Sequence, residues 1–119
     1  MDSSLLQRPQ LAVTYVDNHD SHLTEKDPYV QDWFKPQAYA LILLRKDGYP
    51  CLFLGDYYGI GGDNPRPGMQ WIIDQLLDIR REFAYGDQDD YFDHEHVVGW
   101  IRRGDADHPD GCIVIMSNA

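Results

Sequence analysis

The chain has 119 residues, of which 43% are hydrophobic, 13% aromatic and 25% charged, with a formal net charge of -10. That apolar content supports a core and excludes a disordered tail, while the acidic balance disfavours nucleic acid, whose phosphates need a basic face, and anionic membranes. No apolar run approaches the ~18 residues of a membrane span, and residues 1–10 lack the basic start and apolar centre of a secretory leader.

Taken in chain order, residues 11–16 are β-branched, aromatic and apolar with almost no polar break, as a strand covered on both faces reads. Asp17, Asn18, His19 and Asp20 follow at once. They fall where a parallel strand opens onto its carboxyl end, the end at which α/β barrels hold catalytic groups. On composition alone they also read as a polar strand-end turn with aspartate capping. A polar loop over residues 20–31 is long enough to form part of a cleft wall. Asp32 then caps a helix over residues 33–46. Pro36 is tolerated there because first-turn N–H groups have no intrahelical partner, and Gly48 is available for a left-handed cap.

Residues 51–54 form a second short apolar strand, so strand, helix and strand predict a parallel pair joined by a right-handed crossover. A Gly/Pro/Asp loop covers residues 59–68, after which Trp71, Ile72, Leu76, Ile79 and Phe83 recur at helical spacing, giving a helix over 69–83. From Tyr85 the pattern changes. Residues 97–103 and 112–116 read as strands joined by the turn-rich segment 104–111, an antiparallel hairpin that suits entry into a β-sandwich. Cys51 and Cys112 sit among apolar neighbours in predicted strands and read as buried thiols, with nothing in their spacing to favour a disulfide. Asp89, Asp90 and Asp93 read as solvated carboxylates. In Asp93-His94-Glu95-His96, two imidazoles and a carboxylate suit zinc, but the spacing alone carries little weight.

Several of these segments resemble one family. Val13-Thr14-Tyr15-Val16-Asp17-Asn18-His19-Asp20 is similar to the motif that ends the seventh barrel strand of α-amylases. Trp33-Phe34-Lys35-Pro36, Ala38 to Leu43, Gly48-Tyr49-Pro50, Gly55-Asp56-Tyr57-Tyr58-Gly59 and Tyr91-Phe92-Asp93-His94 resemble, in the same order, segments of the liquefying-type bacterial α-amylases. The tail from Gly111 to Asn118 is most similar to cytoplasmic members.

The resemblance implies an α/β fold: the last two β/α units of a (β/α)8 barrel in residues 1–84, and the start of an antiparallel carboxyl-terminal β domain in residues 85–119. A whole barrel needs roughly 250 residues, so the expected object is an incomplete fold that needs the preceding barrel portion. It further implies a retaining endo-hydrolase of α-1,4-glucans. Asp20 is then the carboxylate that stabilises the transition state, His19 a sugar ligand, and Asp17 and Asn18 the residues that hold their turn. The nucleophile and the acid belong to earlier strands, so these residues alone are expected to be inactive. The aromatic rings of Tyr57 or Tyr58 suit sugar stacking, although Asp56 and the tyrosines serve equally well as a brace for the strand end. Calcium is implied for longer members, but where some have an aspartate this chain has His96, whose nitrogen is a poor calcium ligand, so no cofactor is assigned to these residues. Ser21-His22-Leu23 stand where the group usually has Thr-Gln-Pro, and Leu54 where it has tyrosine. The implied partner is an α-glucan and the implied compartment the cytoplasm, with secretion the alternative. The competing reading is a non-catalytic sugar-binding or interaction remnant.

Overall fold

The computed structural model describes residues 12–16, 33–62 and 65–117. Its first unit is β1 (Val13–Tyr15), helix α1 (Lys35–Leu44) and β2 (Tyr49–Cys51). The strands pair in parallel, Val13 against Tyr49 and Tyr15 against Cys51, as two strands linked by a helical crossover do. Helix α1 buries Lys35, Ala38, Tyr39, Ala40, Leu43 and Leu44, so it is covered on more than one side. Pro36 sits in its first turn, as expected, and Phe34 occupies the cap position without a side-chain hydrogen bond. The proposed cap Asp32 lies outside the described residues.

The end of α1 differs from the expected one. The helix stops at Leu44, Arg45 is already extended (φ -83°, ψ 158°), and Gly48, at φ 84°, turns the chain into β2 instead of capping the helix. Other donors take the last carbonyls. Arg80 Nη1 donates to Leu43 O (2.6 Å), while Trp100 Nε1 (3.3 Å) and Arg102 Nη1 (3.2 Å) donate to Leu44 O. With those acceptors satisfied, no left-handed cap is required.

Two further corrections concern the short parallel sheet. Its second strand comes earlier than expected, and Leu54 opens a short helix α2 (Leu54–Tyr58) instead of closing the strand. One face of the pair is also open. Val13 is 65% exposed, Tyr15 56% and Tyr49 61%, because nothing among the described residues covers that side. Cys51 shares the alternating pattern and is exposed, against the expectation of a buried thiol.

Helix α3 (Gln70–Phe83) is amphipathic as its spacing predicts, and its Ile73 is fully buried. Beyond it β3 (Gln88–Tyr91), β4 (Val97–Arg102) and β5 (Cys112–Ser117) form a three-stranded antiparallel sheet in the order β3-β4-β5. The β4–β5 hairpin matches its sequence signature. Strand β3 does not look like a strand, and the carboxylates expected to be solvated there explain it. Arg45 holds Asp90 with two hydrogen bonds (2.8 and 3.1 Å) while its guanidinium lies over Phe92 and Trp100. Arg103 pairs with Asp89. One core joins the helices to the sheet: Tyr39, Ala40, Leu43, Leu44 and Ile73 pack with Ala84, Trp100 and Met116.

Candidate active site

In parallel α/β barrels, catalytic groups sit at the carboxyl ends of the strands. Asp17, Asn18, His19 and Asp20 follow β1 in the chain, but lie outside the described residues. The surroundings of the strand ends are described, and three helix starts meet there. Lys35, the first residue of α1, reaches Asp56 in α2, and the backbone N–H of Met69, just before α3, donates to Asp56 O (2.8 Å).

Asp56 is the centre of this arrangement. It is 3% exposed. Lys35 Nζ donates to Oδ1 at 2.6 Å, and Tyr39 OH donates to Oδ2 at 2.5 Å. Lys35 and Tyr39 are four residues apart, so they rise from one face of α1. A carboxylate held on both oxygens by a cation and a phenol is not free to attack a carbon. Its role is to fix the start of α1 to the segment after β2. Of the two readings of Gly55-Asp56-Tyr57-Tyr58-Gly59, bracing therefore applies to Asp56.

The tyrosines behave differently. Tyr57 donates its hydroxyl to Asp74 Oδ1 on α3 (2.7 Å). That hydrogen bond, then partial desolvation and the nearby Asp74 charge, hold the phenol above its ordinary pKa. Tyr58 packs edge-on against Tyr57 with ring centroids 4.7 Å apart, yet is itself 69% exposed. Leu54, where the resemblance leads one to expect tyrosine, is 62% exposed on the same short helix. Sequence reasoning missed the partners Lys35 and Tyr39. The available signal was one lysine and one aspartate, each isolated in an apolar run, since charges in such places are usually paired.

The segment 93–96 does not assemble a metal centre. The His94 and His96 rings are 6.2 Å apart and tilted, His94 Nδ1 accepts the backbone N–H of His96, and Glu95 pairs with His96 Nε2 at 3.2 Å. Among the described residues no three His, Cys, Asp or Glu side chains are grouped to hold an ion. The cysteines are free; Cys112 is half-buried, and burial pushes its thiol pKa up, partly opposed by the Arg102 charge. No helix among the described residues is long and apolar enough to cross a membrane.

Comparison with known proteins completes the description. No family model matches the chain. A glucan 1,4-alpha-maltohexaosidase of Bacillus sp. (strain 707) is 48% identical over 98% of this chain and 23% of its own length. An alpha-amylase of Geobacillus stearothermophilus is 50% identical over 92% of this chain and 20% of its own. The cytoplasmic alpha-amylase of Escherichia coli (strain K12) is 42% identical over 92% of this chain and 24% of its own. The chain belongs with the bacterial α-amylases. It spans between a fifth and a quarter of the length of these relatives (20–24%). Within an α-amylase chain, a parallel strand pair followed by an antiparallel sheet accords with a barrel succeeded by a β domain. The Lys35–Asp56–Tyr39 cluster braces the start of α1 against the segment that follows β2.

Proposed function

We propose that these 119 residues form a carboxyl-side portion of an endo-acting α-amylase that cleaves α-1,4-glucosidic bonds in starch and related glucans. In this reading β1 and β2 are the seventh and eighth barrel strands, and the β3–β5 sheet opens the following domain. The observation that carries it is the 42–50% identity with α-amylases across most of the chain. The uncovered face at Val13, Tyr15 and Tyr49 supports it, since an apolar face on a parallel sheet suits further barrel units.

The chemistry follows from charge. A retaining glycosidase passes through an oxocarbenium-like transition state between a nucleophile and an acid about 5–5.5 Å apart. Positive charge develops on the sugar only on the way to that state. A fixed carboxylate beside it therefore favours the transition state over the neutral ground state, which is what accelerates the reaction. Asp20 is the residue we assign to that task. His19 hydrogen-bonds the same sugar, and Asp17 and Asn18 hold the turn. Asp56, Lys35 and Tyr39 keep the adjoining strand end from shifting. Calcium, implied for longer family members, is assigned to no residue of this chain. We read the compartment as cytoplasmic, on the E. coli relative named for it, with secretion the alternative.

The test is a chimera in which the matching segment of the Geobacillus α-amylase is replaced by this chain. It hydrolyses starch, and Asp20→Asn lowers kcat by at least a hundredfold with little change in KM. An Asp20→Asn chimera as active as its parent removes the assignment.

A further inference from the structure

We propose that Lys35, Tyr39 and Asp56 are positioning residues for the hydrolysis: they grip one end of the stretch that carries Asp20 from the same short piece of chain that grips its other end. Their effect on the reaction rests on the α-amylase reading; the grip itself rests on geometry.

Asp20 stands between β1 and α1, in residues 17–32. The elements on either side are both held. Strand β1 lies in register against β2, Val13 against Tyr49 and Tyr15 against Cys51, and Tyr49 N donates to Ala12 O at 2.8 Å. Lys35 opens α1 and donates through Nζ to Asp56 Oδ1. Both sets of partners belong to residues 49–56. Because β1 and β2 are parallel, α1 has to run back between them, so its start lies beside the carboxyl ends of the strands. One piece of backbone therefore fixes where the stretch leaves the sheet and where it enters the helix. Closing a stretch at both ends narrows the conformations open to it.

The grip is dry and directional. The side chains of Lys35 and Asp56 are 4% and 3% exposed, and Tyr39 is fully buried; any further chain packed around them can only bury them more. Tyr39, one turn along α1, holds the second carboxylate oxygen, so the group cannot swing about a single contact. The backbone of Asp56 is held as well, with its N–H donating to Phe53 O (3.0 Å) and its carbonyl accepting from Met69 N–H (2.8 Å). Apolar side chains would fill the same space, often with equal or better stability, but would set no direction.

Charge decides which kinetic constant feels the grip. A carboxylate beside the sugar acts on the positive charge of the transition state and little on the neutral ground state. Displacing it by about 1 Å can cost up to about a hundredfold in rate, and the loss falls on kcat.

The experiment uses the Geobacillus chimera and the triple variant Lys35→Met, Tyr39→Phe, Asp56→Leu, which removes the polar groups of the cluster together and leaves none of them buried without a partner. Starch hydrolysis is measured well below Tm. The triple variant keeps its Tm within about 4 °C of the parent chimera, yet its kcat falls roughly tenfold to a hundredfold while KM changes by less than about threefold. Tyr39→Phe, which deletes one hydroxyl, lowers kcat about threefold with unchanged circular dichroism. The proposal is overturned by parental kcat in a folded triple variant or, should that variant unfold, by parental kcat in Tyr39→Phe. A loss confined to KM, or one that vanishes on cooling as the folded fraction recovers, assigns the cluster to stability alone and also overturns it. An unsubstituted chimera without activity removes the amylase reading instead. Amide exchange then reads the grip: Asp56→Ala speeds exchange over residues 35–39 and 54–58 at least tenfold, and unchanged exchange removes the grip too.

Discussion

Replacing Asp56 with alanine tests the idea that the strand ends are held by one buried ion pair. The side chains of Lys35 and Asp56 are 4% and 3% exposed and meet at 2.6 Å, so solvent screens them little. Removing one member of a buried pair typically costs about 3–5 kcal/mol, because the other charge stays in a medium that solvates it poorly. The Tyr39 hydrogen bond to the same carboxylate, at 2.5 Å, is lost with it and places the cost toward the upper end. Domains are stable by only about 5–15 kcal/mol, and ~4 °C of Tm accompanies each kcal/mol in a chain of this size. Asp56→Ala therefore lowers Tm by about 12–20 °C. Urea unfolding, followed by the fluorescence of buried Trp100, measures the loss directly. The double replacement Lys35→Met with Asp56→Leu is the informative control. Exchanging a whole buried pair for apolar groups is often neutral or stabilising, so it recovers most of the stability. If Asp56→Ala stays within about 1 kcal/mol of wild type, the pair does not brace the strand ends, and the reasoning from burial fails.

Four other outcomes follow from the same reading. A thiol reagent modifies exposed Cys51 first, and Cys112 lags at pH 8 because its ionisation is displaced above the ordinary thiol range by burial; equal rates contradict this. Native Cys112 holds its proton more tightly than in the unfolded chain, so its contribution to stability is complete below the unfolded thiol pKa and is lost as pH rises through the folded one. A Cys112→Ser variant shows a smaller alkaline loss in urea titrations above about pH 8.5. Arg102→Met leaves Gly86 O without the Nε and Nη2 donors it now has at 3.3 and 3.2 Å, and lowers stability by about 1–3 kcal/mol; no change in the urea midpoint contradicts that. A polypeptide of these residues alone hydrolyses no starch and self-associates through the open β1–β2 pair, seen as a concentration-dependent mass in light scattering; starch turnover by it, abolished in Asp20→Asn, defeats the catalytic assignment.

Where hydrophobic rhythm decides structure, the sequence was a reliable guide. Helix α3 came from Trp71, Ile72, Leu76, Ile79 and Phe83, and the β4–β5 hairpin from two apolar runs around a turn. The parallel pairing of β1 and β2 came from strand, helix and strand in succession. What escaped prediction was fixed by contacts distant in the chain. Strand β3 is polar and exists through Arg45 and Arg103, which lie 45 residues before and 14 residues after the carboxylates they bind. The end of α1 is decided by donors on α3 and β4, with a separation of 58 residues for Arg102 and Leu44. Cys51 read as buried because its neighbours are apolar, yet burial depends on what lies opposite, and alternation along β2 leaves it facing outward. At the candidate site the Asp17–Asp20 motif is read from family resemblance alone and lies outside the described residues, whereas Lys35 and Tyr39 became visible only when α1 was set against α2.

The grip on the last turn of α1 has a consequence for modular shuffling. Its final carbonyls are held by Arg80 from the neighbouring helix and by Trp100 and Arg102 from the sheet. A splice made between Ala84 and Tyr85 leaves Arg80 in place but strips the helix of the Trp100 and Arg102 donors and takes Trp100 out of the shared interior. Any graft that imports another organism's β region must bring an indole and a guanidinium to the same two places, so these positions travel together when such enzymes recombine.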